Sequence, residues 1–153
     1  VTRLENNPLH KIQDGEDIWH RLGDVGYLDA NERFWYCGRK SHRVVTEHGT
    51  MFTVMCEAVF NEHPAIYRSA LVGIGKTPRQ TPVLIAEPWP ESRPGSAEKE
   101  RELISELLDI AQQHDHTRAL KDVRLHPSLP VDIRQNAKIF REKLAVWAAT
   151  QNR

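Results

Sequence analysis

Ala65-Ile66-Tyr67-Arg68-Ser69-Ala70-Leu71-Val72-Gly73-Ile74-Gly75, followed by Lys76-Thr77-Pro78-Arg79-Gln80 and then Pro82-Val83-Leu84-Ile85-Ala86, is the stretch from which the fold is read. Two apolar, β-rich runs separated by a short loop predict an antiparallel strand pair. Immediately upstream, Met51 to Glu62 has helical character with Val54, Ala58 and Val59 on one face. His63-Pro64 ends it, because proline disfavours the α region for the residue before it. Further upstream, Arg43-Val44-Val45-Thr46 reads as a strand before Gly49. Tyr27-Leu28 and Phe34-Trp35-Tyr36-Cys37 read as a hairpin joined through Asp29-Ala30-Asn31-Glu32.

Downstream of the pair lies a proline-rich linker, Pro88-Trp89-Pro90-Glu91-Ser92-Arg93-Pro94-Gly95. It ends at Ser96, a good N-cap for a helix running to about Gln113, with Glu98 and Glu100 in its first turn. Leu103, Ile104, Leu107, Leu108 and Ala111 share a face of that helix, which should lie on the sheet. Ala119 to Leu125 reads as a last short strand, and Asn136 to Ala149 as a terminal helix with core stripe Phe140, Leu144 and Trp147. The fold class is α+β: a small antiparallel sheet covered by helices, preceded by a β-hairpin segment.

Composition narrows the function classes. The 153 residues carry 21 Lys and Arg against 21 Asp and Glu, so the formal net charge is +0 and no field gathers nucleic acid or an anionic membrane. A mean hydropathy of -0.58 describes an ordinary soluble chain. The apolar runs are strand-sized, far short of the ~20 residues that span a bilayer. The first residues, Val1-Thr2-Arg3-Leu4-Glu5-Asn6-Asn7-Pro8, form no apolar signal segment. Cys37 and Cys56 have no metal-ligand spacing and read as reduced thiols in the cytoplasm.

Three residues stand out as candidates for chemistry. Lys138, with Asn136 as N-cap, would fall in the first helical turn, where the macrodipole disfavours a cation by up to ~1 kcal/mol. A broken local rule can mark a site. The loop Leu129-Pro130-Val131-Asp132-Ile133-Arg134 before it would present the ammonium to a phosphate or carboxylate; a solvated surface lysine is the plainer reading. Asp24, after Gly23, and Arg39, after Gly38, would project from element ends, where sites concentrate. A carboxylate can accept from two ribose hydroxyls and a guanidinium can donate to the same diol; an Asx-turn and a surface ion pair are the plainer readings. The eight histidines include His114 and His116 near a helix C-terminus, but neither has a third ligand in view, so no metal is expected on this chain.

At these residues the chain resembles a known family. Trp19-His20-Arg21-Leu22-Gly23-Asp24-Val25-Gly26-Tyr27-Leu28-Asp29 with Phe34-Trp35-Tyr36-Cys37-Gly38-Arg39-Lys40 resembles the run "TGDxGxxDxxGxLxFxGR" of the adenylate-forming enzymes: acyl-CoA synthetases, peptide-synthetase adenylation domains and luciferases. Gly49, Glu57, His63-Pro64 and Ser69-Ala70-Leu71-Val72-Gly73 resemble the "G…E…HP…aaVvG" segment. Asn136-Ala137-Lys138-Ile139-Phe140-Arg141 resembles "xGKxxR". The matches keep their order over roughly residues 16 to 147.

The resemblance implies the C-terminal part of a two-domain, ATP-dependent, AMP-forming ligase. Residues 1–40 would be the tail of a large N-terminal domain, residues 41–153 a mobile C-terminal domain, and Lys40-Ser41 the hinge. By motif position Asp24 and Arg39 would hold the ribose hydroxyls of ATP or AMP, and Lys138 would bridge the substrate carboxylate and the α-phosphate. Mg2+ and the triphosphate would be held by the large domain, so this chain alone is expected to be inactive. Ser41 stands where the family has Asp or Lys, Ala137 where it has the glycine of "GK", and Glu57 alone remains of the usual acidic pair. These departures set the chain apart from thioester-forming members. The segments 38–44 and 136–147 look most like the β-lactone synthetases of bacterial olefin biosynthesis. In that branch the adenylate of a β-hydroxy fatty acid is closed by its own hydroxyl, without coenzyme A. A long-chain fatty acyl-CoA ligase and a free-standing α/β interaction module are the other readings. The expected partners are ATP, a fatty-acid-type carboxylate, the chain's own large domain and other enzymes of the pathway, with no nucleic acid and no membrane span.

Overall fold

The structure is a computed structural model that describes residues 11–134 and 138–151. Its centre is a three-stranded sheet in the order β7 (Ile66–Ile74), β8 (Thr81–Pro88), β9 (Val123–Leu125). β7 and β8 are antiparallel, with Leu71 opposite Leu84 and Val72 opposite Val83. β9 is parallel to β8, Leu84 facing Val123. A parallel neighbour requires a crossover of a dozen residues or more, and helix α2 (Ala97–Gln112) supplies it. The segment expected as a strand over 119–125 is therefore extended only from Val123, and it makes the sheet mixed.

The apolar runs of β7 and β8 are continuous because both faces of the sheet are covered. On one face Leu71, Leu84, Ala86 and Val123 meet Cys56 and Phe60 of α1 (Thr53–Asn61) and Leu103, Leu107 and Ala111 of α2. On the other, Ala70, Val72, Val83 and Ile85 meet Leu129 and the Leu144 and Ala148 side chains of α3 (Arg141–Thr150). α2 begins as its sequence dictates, the Ser96 hydroxyl accepting from the Lys99 N–H at 3.3 Å. Among the described residues no helix is long and apolar enough to cross a membrane. Both cysteines are free and buried, and burial pushes the Cys56 thiol up to about 12.

Three expectations are corrected. α1 leaves Val54 and Ala58 exposed, with Val59 half-buried against the core; Thr53, Cys56, Glu57 and Phe60 face inward, because Glu57 has a buried partner far along the chain. α3 turns Leu144 and Ala148 to the core, with Phe140 and Trp147 only half-buried. It also starts at Arg141, not Asn136. Lys138 therefore lies in a two-residue strand, β11 (Lys138–Ile139), paired with β10 (Val131–Asp132). It occupies no helical turn, so the macrodipole is no reason to single it out. Asn136 and Ala137 lie outside the described residues.

Ahead of this body come two hairpins, β1 (Lys11–Asp14) with β2 (Asp17–His20) and β3 (Asp24–Leu28) with β4 (Phe34–Arg39). Asp29 organises the second turn: its carboxylate accepts from the Trp35 Nε1–H at 2.9 Å, the Arg33 side chain at 2.8 Å and the Asn31 N–H at 2.9 Å. Those donors, Trp35 foremost, hold its carboxyl down to about 2. A one-turn 3-10 segment, Lys40–His42, leads into β5 (Val44–Thr46), which pairs with β6 (Gly49–Met51). The hairpins and the link between them carry Trp19, Leu22, Leu28 and Phe34 at 61–71% exposure, a concentration of open large apolar side chains that is greater than elsewhere among the described residues, where Ile133 and Val146 stand singly.

Candidate active site

Asp24 and Arg39 are exact register partners across the β3–β4 ladder, so the strand geometry alone brings their side chains together. Arg39 Nε lies 3.0 Å from Asp24 Oδ1, and the Tyr36 hydroxyl is 3.5 Å from the same oxygen. A second guanidinium nitrogen donates to the Leu22 carbonyl at 2.5 Å, and the Lys40 N–H donates to the Gly23 carbonyl at 2.7 Å. Gly38 has φ +116°, a conformation that favours glycine. A Cβ there would come within 2.6 Å of Thr53 Oγ1, so the glycine lets β4 run close past the start of α1.

The strand then delivers Arg39 to one wall of a cleft of about 400 Å³, lined also by Tyr36, His42, Thr53, Lys138 and Arg141. Lys138 is exposed, on a strand held by β10 and by the Phe140 N–H donating to the Pro130 carbonyl at 2.9 Å. Arg141 reaches from the first turn of α3 to Glu57, Nε to Oε1 at 3.1 Å and the terminal nitrogen to Oε2 at 2.6 Å. Burial raises the Glu57 carboxyl above the usual range, against the pull of Arg141 and of the Leu71 N–H. His42, whose Nε2 is 3.5 Å from Glu142 Oε1, is held below its ordinary pKa by burial first and then by the Arg141 and Lys138 charges. The cleft thus gathers the cationic side chains of Arg39, Lys138 and Arg141 beside an imidazole whose affinity for a proton is lowered by burial, and then by Arg141 and Lys138, against the pull of Glu142, an environment suited to a phosphate or carboxylate.

All three residues singled out in the sequence belong to this region. Asp24 and Arg39 touch each other, and Arg39 and Lys138 share the cleft. Tyr36, His42 and Arg141 were not assigned from the sequence. Arg141 carried a signal, three residues after Lys138 in the "xGKxxR" segment, whereas nothing local marks His42. The His114 and His116 rings are 5.7 Å apart, and among the described residues no group of three His, Cys, Asp or Glu is disposed to hold a metal.

No family profile matches the chain. The fold is that of the C-terminal portion of adenylate-forming enzymes. An amide bond synthetase from Marinactinospora thermotolerans superposes with a TM-score of 0.72 at 20% identity, over 94% of this chain and 27% of that one. The O-succinylbenzoate coenzyme A synthetase of Bacillus subtilis, solved with ATP and magnesium, gives 0.71 at 22% over 93% and 26%. By fold the chain is similar to the C-terminal part of the adenylate-forming enzymes. In sequence it is 47% identical over 143 residues to the olefin β-lactone synthetase of Xanthomonas campestris pv. campestris, and 45% identical over 141 residues to that of Stenotrophomonas maltophilia. Each match covers 92% of this chain, and the chain spans about a quarter (25%) of either relative's length.

Proposed function

We propose that this chain is the C-terminal part of an ATP-dependent β-lactone synthetase acting on a β-hydroxy fatty acid. Residues 1–40 end the large domain, Lys40-Ser41 is the hinge, and residues 41–153 are the mobile domain. The observation that carries the activity is the 45–47% identity to two olefin β-lactone synthetases over 92% of the chain. The apolar side chains left open on the two hairpins support the boundary, since residues from a large domain's core are bare when that domain is absent.

The reaction has two steps. A carboxylate oxygen of the fatty acid attacks the α-phosphorus of ATP and pyrophosphate leaves. The β-hydroxyl oxygen then attacks the acyl carbon, its proton is lost, the acyl–oxygen bond to phosphate breaks, and AMP departs with the four-membered lactone formed. Asp24 accepts from the ribose hydroxyls, with Arg39 and the Tyr36 hydroxyl beside it. Lys138 meets the carboxylate and the α-phosphate together, offsetting the repulsion of two anions where they approach most closely. Mg2+, when bound, would neutralise charge on the phosphates, and the residues that would hold it are expected on the large domain.

The test is product analysis on the intact parent. With a β-hydroxy fatty acid and Mg·ATP but no coenzyme A, β-lactone, AMP and pyrophosphate are expected in equal amounts, and this chain alone should release no pyrophosphate. A parent that makes product only when coenzyme A is added is an acyl-CoA ligase, and the lactone reading fails. Asp24→Ala should raise the KM for ATP by about 10-fold with a smaller change in kcat, because a ribose contact exists in both the ground and transition states. An unchanged KM for ATP in steady-state assays would remove Asp24 from the nucleotide site.

A further inference from the structure

Among the described residues two carboxylates are buried, and both are tied to the short hairpin that carries Lys138. Among the described residues the charged side chains in the core are Glu57 and Glu87, at 7% and 6% exposure. A buried carboxylate is unfavourable unless it is paired and fully hydrogen-bonded, so each invites the question of what it holds. Glu57, on α1, grips Arg141 through two hydrogen bonds and accepts from the Leu71 N–H of β7 at 2.8 Å. Glu87, on β8, accepts from Arg68 Nε at 2.6 Å and from the Leu129 N–H at 2.7 Å.

The partners of these two groups flank Lys138. Arg141 follows it by three residues. Leu129 precedes β10, the strand whose Asp132 is the register partner of Lys138. Between them the Phe140 N–H donates to the Pro130 carbonyl at 2.9 Å, joining the two feet of the hairpin. The hairpin itself is only two residues long on each side, too short to hold its own position against the sheet. Its placement comes from its feet, and each foot ends on a buried carboxylate.

We infer that Glu57, acting through Arg141, and Glu87, acting through Leu129, are positioning residues that fix the Lys138 strand so that its ammonium is presented to the reacting atoms. This rests on Lys138 being the catalytic lysine of the proposed reaction. Neither carboxylate touches substrate; each acts by removing freedom from the segment that does. Misplacement of a reacting group by about 1 Å costs on the order of 10²-fold in rate, so loosening one of two feet should lower adenylation by about 10-fold.

The decisive variant is Glu57→Gln in the intact parent. It keeps the shape and an acceptor for the Leu71 N–H while removing the charge that grips Arg141. Pyrophosphate release should show kcat down about 10-fold with the KM for ATP unchanged, and hydrogen exchange should quicken at the Lys138 and Ile139 amides. In the Lys138→Ala background the same substitution should add nothing. Glu87→Gln should behave alike. Arg141→Lys, which keeps the charge but loses the two-point grip, covers the case in which Glu57→Gln does not fold and should slow kcat in the same direction. A normal kcat for Glu57→Gln or Arg141→Lys beside a crippled Lys138→Ala overturns the positioning role and leaves the Lys138 assignment standing. An additive loss in the double variant overturns it too, since the carboxylate then acts elsewhere. Full activity of Lys138→Ala would overturn the catalytic assignment, and the positioning role with it.

Discussion

Lys138→Ala in the intact enzyme is expected to slow acyl-adenylate formation by on the order of 10²–10³, the loss typical of one preorganised donor, while nucleotide binding stays nearly unchanged. The reason is where the charge is used. Before reaction the carboxylate and the α-phosphate can each remain partly solvated, and a cation between them gains little. As the carboxylate oxygen closes on the α-phosphorus and its anionic oxygens, water is excluded and the repulsion grows, so the cation counts most in the transition state and the loss falls on kcat. The surroundings favour this role. Lys138 shares its cleft with Arg39 and Arg141, so an anion entering it meets three cations, of which only Arg39 and Arg141 are tied to carboxylates, Asp24 and Glu57 respectively, in the contacts above. Folding should be indifferent, because exposed substitutions usually shift stability by within ~0.5 kcal/mol. Isotope exchange between pyrophosphate and ATP measures the step directly, and an undiminished rate in the variant would show that the lysine plays no part in it.

Lys138 is a residue that local sequence rules place wrongly. Its sequence context suggested a cation at a helix N-terminus, yet the helix begins three residues later and Lys138 is in a strand. A ladder of two pairs leaves no periodicity to read, and Phe140, at the true start of the helix, offers no side-chain cap. What survives is the motif resemblance and the shared cleft, neither of which depends on helical position. The β7–β8 pair was legible because nine and eight extended residues rich in apolar side chains leave few alternatives, and the Ser96 cap and α2 stripe because they follow local rules. The inward face of α1 was not legible. Local periodicity favours Val54 and Ala58 over Glu57 as core residues, and only the arrival of Arg141, 84 residues on, reverses that preference. The parallel β9 escaped for a similar reason: the direction of a three-residue strand is fixed by the crossover before it, not by its own side chains.

Arg141→Ala is expected to destabilise this chain by about 3–5 kcal/mol near neutral pH, the usual result of removing one partner of a buried ion pair. Arg141 and Glu57 are 16% and 9% exposed at their side chains, so little water is at hand to replace the guanidinium. The Leu71 N–H would be the carboxylate's remaining donor among the contacts that hold it. The sign of the pH dependence follows. Burial already lifts the Glu57 carboxyl above its ordinary value, and losing the cation lifts it further. A carboxyl raised in the folded state contributes its stability below the unfolded pKa and loses it as pH rises through the folded pKa. The variant's deficit relative to the unsubstituted chain should therefore be smallest at acid pH, below the ordinary glutamate value, and should widen as pH rises toward neutrality and above. Urea unfolding at a series of pH values reads this difference as a shift in midpoint. A deficit that is large at every pH would mean that Arg141 stabilises by packing its aliphatic stem and not by compensating Glu57. A deficit that shrinks as pH rises would contradict the buried-charge account outright.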